Sequence, residues 1–439
     1  MQLKAKSIRT RLTAATCSVL GVSIPHAASA QFAEGWNVDS AVLYYAEKDR
    51  VSTVEPVINA RKDLNNDEYL NFRFVIDVLT GASPNGAVPA PLTQTFTGPS
   101  GTNRFSVGAN ELPLDPTFSD TRVAGSLMWE KPTSRMVKRF LGANFSTEQD
   151  YTSFGASNTY TFDIHNKLTT LSAGAALNLD FVSPVGGTPT ALSEVSTVAS
   201  AREGDGEGED GEEGIGGKSK LVGDLLFGVT RVLSRRTITQ FNVGLGLSNG
   251  YLSDPYKILS MVNPATGELA PGSGDNRYKY VYEKRPDSRA RQSLFWKINH
   301  QFTNDVVYFS YRYYQDDWGV VSHTAELRYR LELGQRHYLQ PHLRYYTQSA
   351  ANFYHYFLPD QDLPKYASAD YRLGEMTTKT VGLQYGVQLN AASDFSLRLE
   401  SIIQSGNGHP DSAVGNLRNY NLFPGLDAFA VQASFKFRF

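Results

Sequence analysis

Much of this chain alternates apolar and polar side chains with a period of two. In the stretch 321–333, Ala325, Leu327, Tyr329 and Leu331 share one side, and Glu326, Arg328, Arg330 and Glu332 share the other. The stretch 337–349 sets Leu339, Leu343 and Tyr345 against Gln340, His342 and Arg344. Leu70, Phe72, Phe74 and Ile76 likewise oppose Asn71, Arg73 and Asp77, and Leu397 and Leu399 oppose Arg398 and Glu400. A period of two predicts β-strands, because successive side chains of a strand point to opposite faces. Sixteen segments of this kind can be drawn: 37–47, 51–63, 67–80, 120–131, 135–148, 152–164, 167–181, 220–232, 235–248, 288–302, 305–316, 321–333, 337–349, 375–390, 395–405 and 427–439.

The connections sort by length. Every second one is a tight polar turn, among them Leu64-Asn65-Asn66, His165-Asn166, Thr303-Asn304 and Gly334-Gln335. The intervening ones include five long segments, at 81–119, 182–219, 249–287, 350–374 and 406–426. Long connections therefore gather at one end of the sheet. That segregation is expected of an outer-membrane barrel, with short periplasmic turns and long extracellular loops. The predicted fold is all-β: a transmembrane, antiparallel, up-and-down β-barrel of about 16 strands. An even strand count puts both termini on the periplasmic side. Mean hydropathy is only −0.34, which a barrel tolerates because alternate residues face lipid and the backbone is satisfied between strands. The 24 Tyr and 24 Phe suit such a wall and its interfacial girdles.

Residues 1–30 read as a signal peptide. Lys4, Lys6, Arg9 and Arg11 precede a short apolar run, and Ala28-Ser29-Ala30 supplies a small-residue cleavage site before Gln31. The expected mature unit is 31–439, one barrel domain exported to the outer membrane of a Gram-negative bacterium. Cys17, the single cysteine, lies in the leader, so the mature chain has no thiol chemistry. Without the four positive residues of the leader the formal charge of −2 becomes −6, which is mild for a chain this long and argues against nucleic-acid binding.

Candidate chemistry comes from the polar faces. Arg312, Arg328, Arg330 and Arg344 would form a basic stripe inside the barrel, with Glu326, Glu332, His342, Arg73, Asp77, Arg398 and Glu400 as further pore-lining candidates. Rings of Arg attract anions in pores; interleaved carboxylates would instead pair with them and stiffen the lumen. Glu203 to Gly214 carries seven acids among glycines without a fixed ligand spacing, and reads as part of a disordered acidic loop at about 190–219. Asp316 and Asp317, followed by His323, sit at a hairpin tip. They are weak candidates for a surface hydrolase, and the same residues suit a polar turn. No nucleophile elbow, zinc-binding H-E-x-x-H or phosphate loop is present, and no cofactor is expected. His355 and His409 lie in long loops and read as exposed. A soluble exported β-sandwich that binds carbohydrate is the remaining alternative.

The end of the chain, 427–439, alternates onto Phe435, Phe437 and Phe439, and resembles the carboxy-terminal signal by which outer-membrane barrels are assembled. Its predicted neighbours are the strands 37–47 and 395–405, with the phenylalanines toward lipid and Lys436 and Arg438 inward. The loops carry a second resemblance. Leu79-Thr80-Gly81-Ala82-Ser83-Pro84-Asn85-Gly86-Ala87, Pro184-Val185-Gly186-Gly187, Asp254-Pro255-Tyr256-Lys257, Arg285-Pro286-Asp287-Ser288-Arg289, Tyr313-Tyr314-Gln315-Asp316-Asp317-Trp318-Gly319 and Tyr366 through Gly374 are similar to motifs of the domain of unknown function 3570 family. The resemblance spans essentially the whole mature chain. It implies a non-enzymatic outer-membrane barrel, a pore or the scaffold of an envelope electron-transfer system. The partners it implies are outer-membrane lipid, the barrel assembly machinery, and a periplasmic lipoprotein or thioredoxin-like protein encoded near a flavin transferase.

Overall fold

The structure, a computed structural model, describes residues 35–97, 104–184, 187–195, 217–273 and 277–439. The leader with Cys17, its cleavage site at Ala30 and Gln31, the acidic run 203–214, and Val185 and Gly186 lie outside the described residues.

The wall strands are β1 (Trp36–Glu47), β2 (Ser52–Asp63) and β3 (Tyr69–Pro84), then, after loop strands β4 (Gln94–Thr97) and β5 (Arg104–Val107), β6 (Leu114–Ser134), β7 (Val137–Thr147), β8 (Tyr151–Ile164), β9 (Thr169–Val182), β10 (Lys218–Ser234) and β11 (Thr237–Gly250). Loop strands β12 (Ile258–Val262) and β13 (Tyr280–Tyr282) precede β14 (Ser288–Gln301), β15 (Val306–Asp316), β16 (Val321–Leu333) and β17 (His337–Gln348). Loop strand β18 (Leu358–Pro359) is followed by β19 (Met376–Asn390), β20 (Ser393–Gly406) and β21 (Leu426–Arg438). The sixteen wall strands form one closed barrel, each antiparallel to its neighbours. β21 closes it, pairing Val431 with Tyr44 of β1 and with Leu399 of β20. Those are the neighbours that the alternation predicted.

The wall's outer face is apolar. Phe72, Leu127, Phe154, Leu177, Leu245 and Val381 point away from the lumen and are exposed, Leu177 and Val381 at 59%. A continuous belt of such side chains has no stable existence in water and fits the lipid interior. The wall strands, 11 to 21 residues long, meet or exceed the 9–11 residues a tilted strand needs to cross. No helix among the described residues is long and apolar enough to cross a membrane.

The short turns use left-handed backbone where it costs least, at Asn65, Asn66 and Asn166 and at Gly334. At the opposite end β3 and β6 run further than the alternation indicated. They pair out to Ser83 with Asp115 and Pro84 with Leu114, through an irregularity at Gly81/Ser83.

The long connections are folded rather than open. β12 pairs with β13 and β18, and β4 pairs with β5. A hydrophobic core gathers Val88, Phe96 and Phe105 from the β3–β6 connection, Ile258 and Val262 from the β11–β14 connection, and Leu417 and Leu422 from the β20–β21 connection. A neighbouring cluster packs Leu259, Met261 and Val281 against Leu358 and Ala367 of the β17–β19 connection. In the ring of strands, the three connections of the first cluster leave the rim at widely separated points. Segments rooted so far apart can share a core only by reaching across the mouth. The barrel is therefore lidded at its loop end.

The lid is tied down at three short turns of the same rim. Arg50, between β1 and β2, donates to the carbonyls of Pro424 and Gly425 at 3.0 and 3.2 Å and lies over the Tyr371 ring. Asp150, between β7 and β8, accepts from the Tyr256 hydroxyl. Trp318, between β15 and β16, is buried edge-on against Phe353, and its carbonyl accepts from Asn352 N at 2.8 Å.

Candidate functional site

The loop motifs meet inside the lid, in a cluster of three acids and three bases. Asp254 starts an Asx turn, accepting from Tyr256 N at 3.1 Å, and this turn carries Lys257 into the core. Lys257, 7% exposed, donates Nζ to the carbonyl of Pro84. Arg285 bridges Glu283 (Nε to Oε1, 2.6 Å) and Asp370 (Nη2 to Oδ2, 2.8 Å), whose side chains are each 1% exposed. Ser368 donates its hydroxyl to the other oxygen of Glu283. Arg372 reaches from Asp370 to Asp254, at 2.6 and 2.8 Å. Three connections are thus clasped together: β3–β6 through Pro84, β11–β14 through Lys257 and Arg285, and β17–β19 through Asp370.

Burial dominates the protonation of these groups. It pushes Glu283 up to about 7, against the pull of Arg285, and it pushes Lys257 down. For Asp370 burial also acts upward, but Arg372, Arg285 and Lys257 outweigh it and hold the carboxyl well below its usual range. None of these residues stands out as chemistry in the sequence. The signal was that all of them but Glu283 lie in the loop motifs, not their spacing. His355, expected to be exposed, is half-buried in the lid, and burial lowers it. His409 is exposed.

On the wall, register and the exposed outer residues place Arg73, Asp77, Arg312, Glu326, Arg328, Arg330, Glu332, His342, Arg344, Arg398 and Glu400 on the inner face. Several are paired. Arg122 pairs with Asp77, Arg330 with Glu332 at 2.5 Å, and Arg398 with Glu400 at 3.7 Å. Glu326 is held by Arg328 at 2.9 Å and faces His342 at 3.5 Å, while His342 also meets Glu400 at 2.7 Å. Gly382, in register between His342 and Glu400, leaves the room for that contact. Arg312 lies over the Phe295 ring at 5.4 Å. Among the described residues neither Arg312 nor Arg344 has a carboxylate partner. The basic stripe is thus half neutralised and half free. Side chains do not fill the lumen, for paired inner residues stay accessible: Arg328 is 41% and Arg122 43% exposed.

Asp316, Asp317 and His323 do not converge. Asp316 faces inward and is saturated by Arg289, the Tyr314 hydroxyl and Val320 N. Asp317 is exposed at the turn. His323 is on the outer face, bonded to the Tyr311 hydroxyl at 2.6 Å. A wall separates the imidazole from the Asp316 carboxylate, so the two cannot activate one water. Among the described residues no group of three or more His, Cys, Asp or Glu could hold a metal ion.

Among the described residues, two cavities lie at the short-turn end. One, of about 370 Å³, is bounded by Arg330, Glu332, Arg336, Asp394, Lys436 and Arg438. The other, of about 490 Å³, shares Lys436 and Arg438 and adds Asp39, Arg61 and Asp63. Lys436 and Arg438 therefore face inward as the alternation required. Phe429, Phe437 and Phe439 are exposed on the other face, where Phe435, Phe437 and Phe439 stack in a row.

The model of a family described as a protein of unknown function, DUF3570, matches residues 9–437. No curated protein matches the chain. Among solved structures, a bacterial polysaccharide outer membrane secretin aligns at TM-score 0.41 and 8% identity, over 93% of this chain and 99% of that one. The CymD monoaromatic hydrocarbon channel aligns at 0.39 and 9%, over 93% and 90%. The toluene transporter TodX of Pseudomonas putida aligns at 0.39 and 10%, over 94% of each chain. Likenesses this distant say nothing of what this barrel carries.

Proposed function

We propose that this chain, which belongs to the DUF3570 family, is a non-enzymatic outer-membrane barrel that works as a gated pore, closed at its loop mouth by the lid. One observation carries this reading: loops rooted far apart on the rim share one hydrophobic core across the mouth of a lumen that side chains do not fill. A simple membrane anchor has no need of an unfilled lumen lined with accessible charge. A permanently open pore has no need of a packed lid. In this reading the leader is removed on export, the assembly machinery inserts the barrel through β21, and both termini face the periplasm.

A second reading, favoured by the cavities at the short-turn mouth, is a scaffold for a periplasmic lipoprotein or thioredoxin-like partner of an electron-transfer system. Planar-bilayer recording separates the two. The intact barrel should be nearly silent, and a barrel whose lid segment 255–284 is replaced by a short Gly-Ser linker should conduct steadily. Silence of both proteins, with heat-modifiable migration intact, would rule out the pore and leave the scaffold.

A further inference from the structure

The inner wall is not electrically uniform. On β1–β3 the lumen face bears Asp39, Glu55, Asp63 and Asp77, with Arg61 and Arg73 among them. On β7–β9 the middle of the wall is small and neutral. Gly155 lies in register between Asn144 and Asn178, whose amides bond each other at 3.1 Å across it. On β15–β17, six strands round the ring from that lane, Arg312, Arg328, Arg330, His342 and Arg344 stand among aromatic rings and the carboxylates Glu326 and Glu332.

Within that cationic sector, register places Arg312 beside Thr324, which lies beside Tyr346 on the next strand, and Arg344 beside Glu326, itself beside Ser310. Glu326 is the carboxylate that Arg344 opposes, yet its contacts run to Arg328 and His342. Arg312 lies over the ring of Phe295 and has no salt bridge among the described residues. Both guanidiniums are exposed into the lumen, flanked by short Ser and Thr side chains that leave space beside them. A guanidinium presents a planar fork of donors matched to carboxylate or sulfonate oxygens, and it stacks on rings. Tyr346 and Phe295 offer ring faces at the same level.

We infer that Arg312 and Arg344 form a binding station for an organic anion bearing an aromatic or other unsaturated ring, reached through the short-turn mouth while the lid is closed. The anionic group lies between the two guanidiniums and the ring against Tyr346. This assignment rests on the pore reading for its purpose, but not for its test.

The test uses the full chain in neutral-detergent micelles with the trianionic dye 8-hydroxypyrene-1,3,6-trisulfonate, followed by fluorescence anisotropy at low salt. The expected result is saturable binding that weakens roughly tenfold per guanidinium lost in Arg312→Gln and Arg344→Gln. The control pair Arg235→Gln with Arg236→Gln, at the β10–β11 turn, removes the same charge and should leave binding unchanged. Absence of binding, or equal weakening in both pairs, overturns the inference. A lid-replaced barrel that conducts without anion preference also overturns it and leaves the pore standing. Dye binding through these two arginines in a barrel that never conducts overturns the pore instead and leaves the station standing.

Discussion

Arg285→Ala should loosen the lid without unfolding the wall. The guanidinium is 12% exposed and compensates two carboxylates, Glu283 at 2.6 Å and Asp370 at 2.8 Å, each about 1% exposed. Removing one partner of a buried ion pair leaves uncompensated charge in a poor solvent, which costs about 3–5 kcal/mol. Each ~1.4 kcal/mol is a factor of ten, so lid opening should become roughly a hundredfold to several thousandfold more frequent. Backbone amides report it directly. Ile258 N bonds the Asn85 carbonyl at 3.0 Å, and Lys284 and Ala367 exchange a pair of bonds at 2.8 Å. Hydrogen exchange at these amides should accelerate by that factor, while wall amides such as Leu343 keep their protection. The double variant Glu283→Gln with Arg285→Met removes opposite charges together and should recover part of the loss. Lid amides that exchange at the parent rate would refute the reasoning. Equal acceleration in lid and wall would refute it too, because the clasp would then be part of one global unit.

Three further outcomes follow from the same geometry. Gly86 has φ +99°, and a Cβ there would sit 2.4 Å from the Ile258 carbonyl oxygen; Gly86→Ala should therefore destabilise the lid by about 1–3 kcal/mol, read as faster proteolysis in the loops with the barrel band unchanged. Burial raises Glu283 from 4.5 to about 7, so its contribution is fully present below pH ~4.5 and lost as pH rises through ~7; Asp370, held low, stays ionised in this window. The lid should thus grip harder at pH 5 than at pH 8, and Glu283→Gln should flatten that exchange profile; a profile already flat in the parent would contradict the sign. Deleting Phe439, the last of three stacked rings, should lower the yield of folded, heat-modifiable barrel while total synthesis is unchanged.

The wall was legible because it repeats. One face meets lipid and the other water, so the period of two is imposed on every strand, and β21 could be placed between β1 and β20 from pattern alone. The lid was not legible, for the opposite reason. Strand β12, Ile258–Val262, is buried on all sides, so it shows no alternation, and β18 has two residues. The clasp joins Pro84, Lys257, Arg285 and Asp370 across most of the chain, and no local spacing encodes such a meeting. The lumen lies between these cases. Alternation identified which arginines face inward, but only the register and side-chain geometry show that Arg328 and His342 take the direct contacts to Glu326, leaving Arg344 without a salt bridge among the described residues. The same parity sets His323 on the wrong side of the wall from Asp316.

The three rim turns that tether the lid, at Arg50, Asp150 and Trp318, are distributed around the ring rather than gathered on one side. A plate fixed along one edge can swing like a door; a plate pinned at three separated points has no axis left to swing about. In the pore proposed above, passage through this mouth would require the plate itself to come apart, its packing and its clasp lost together. Such a pore would behave as a fuse more than a valve: long closed intervals, rare and abrupt openings, and a rate set by the cooperativity of a small folded domain.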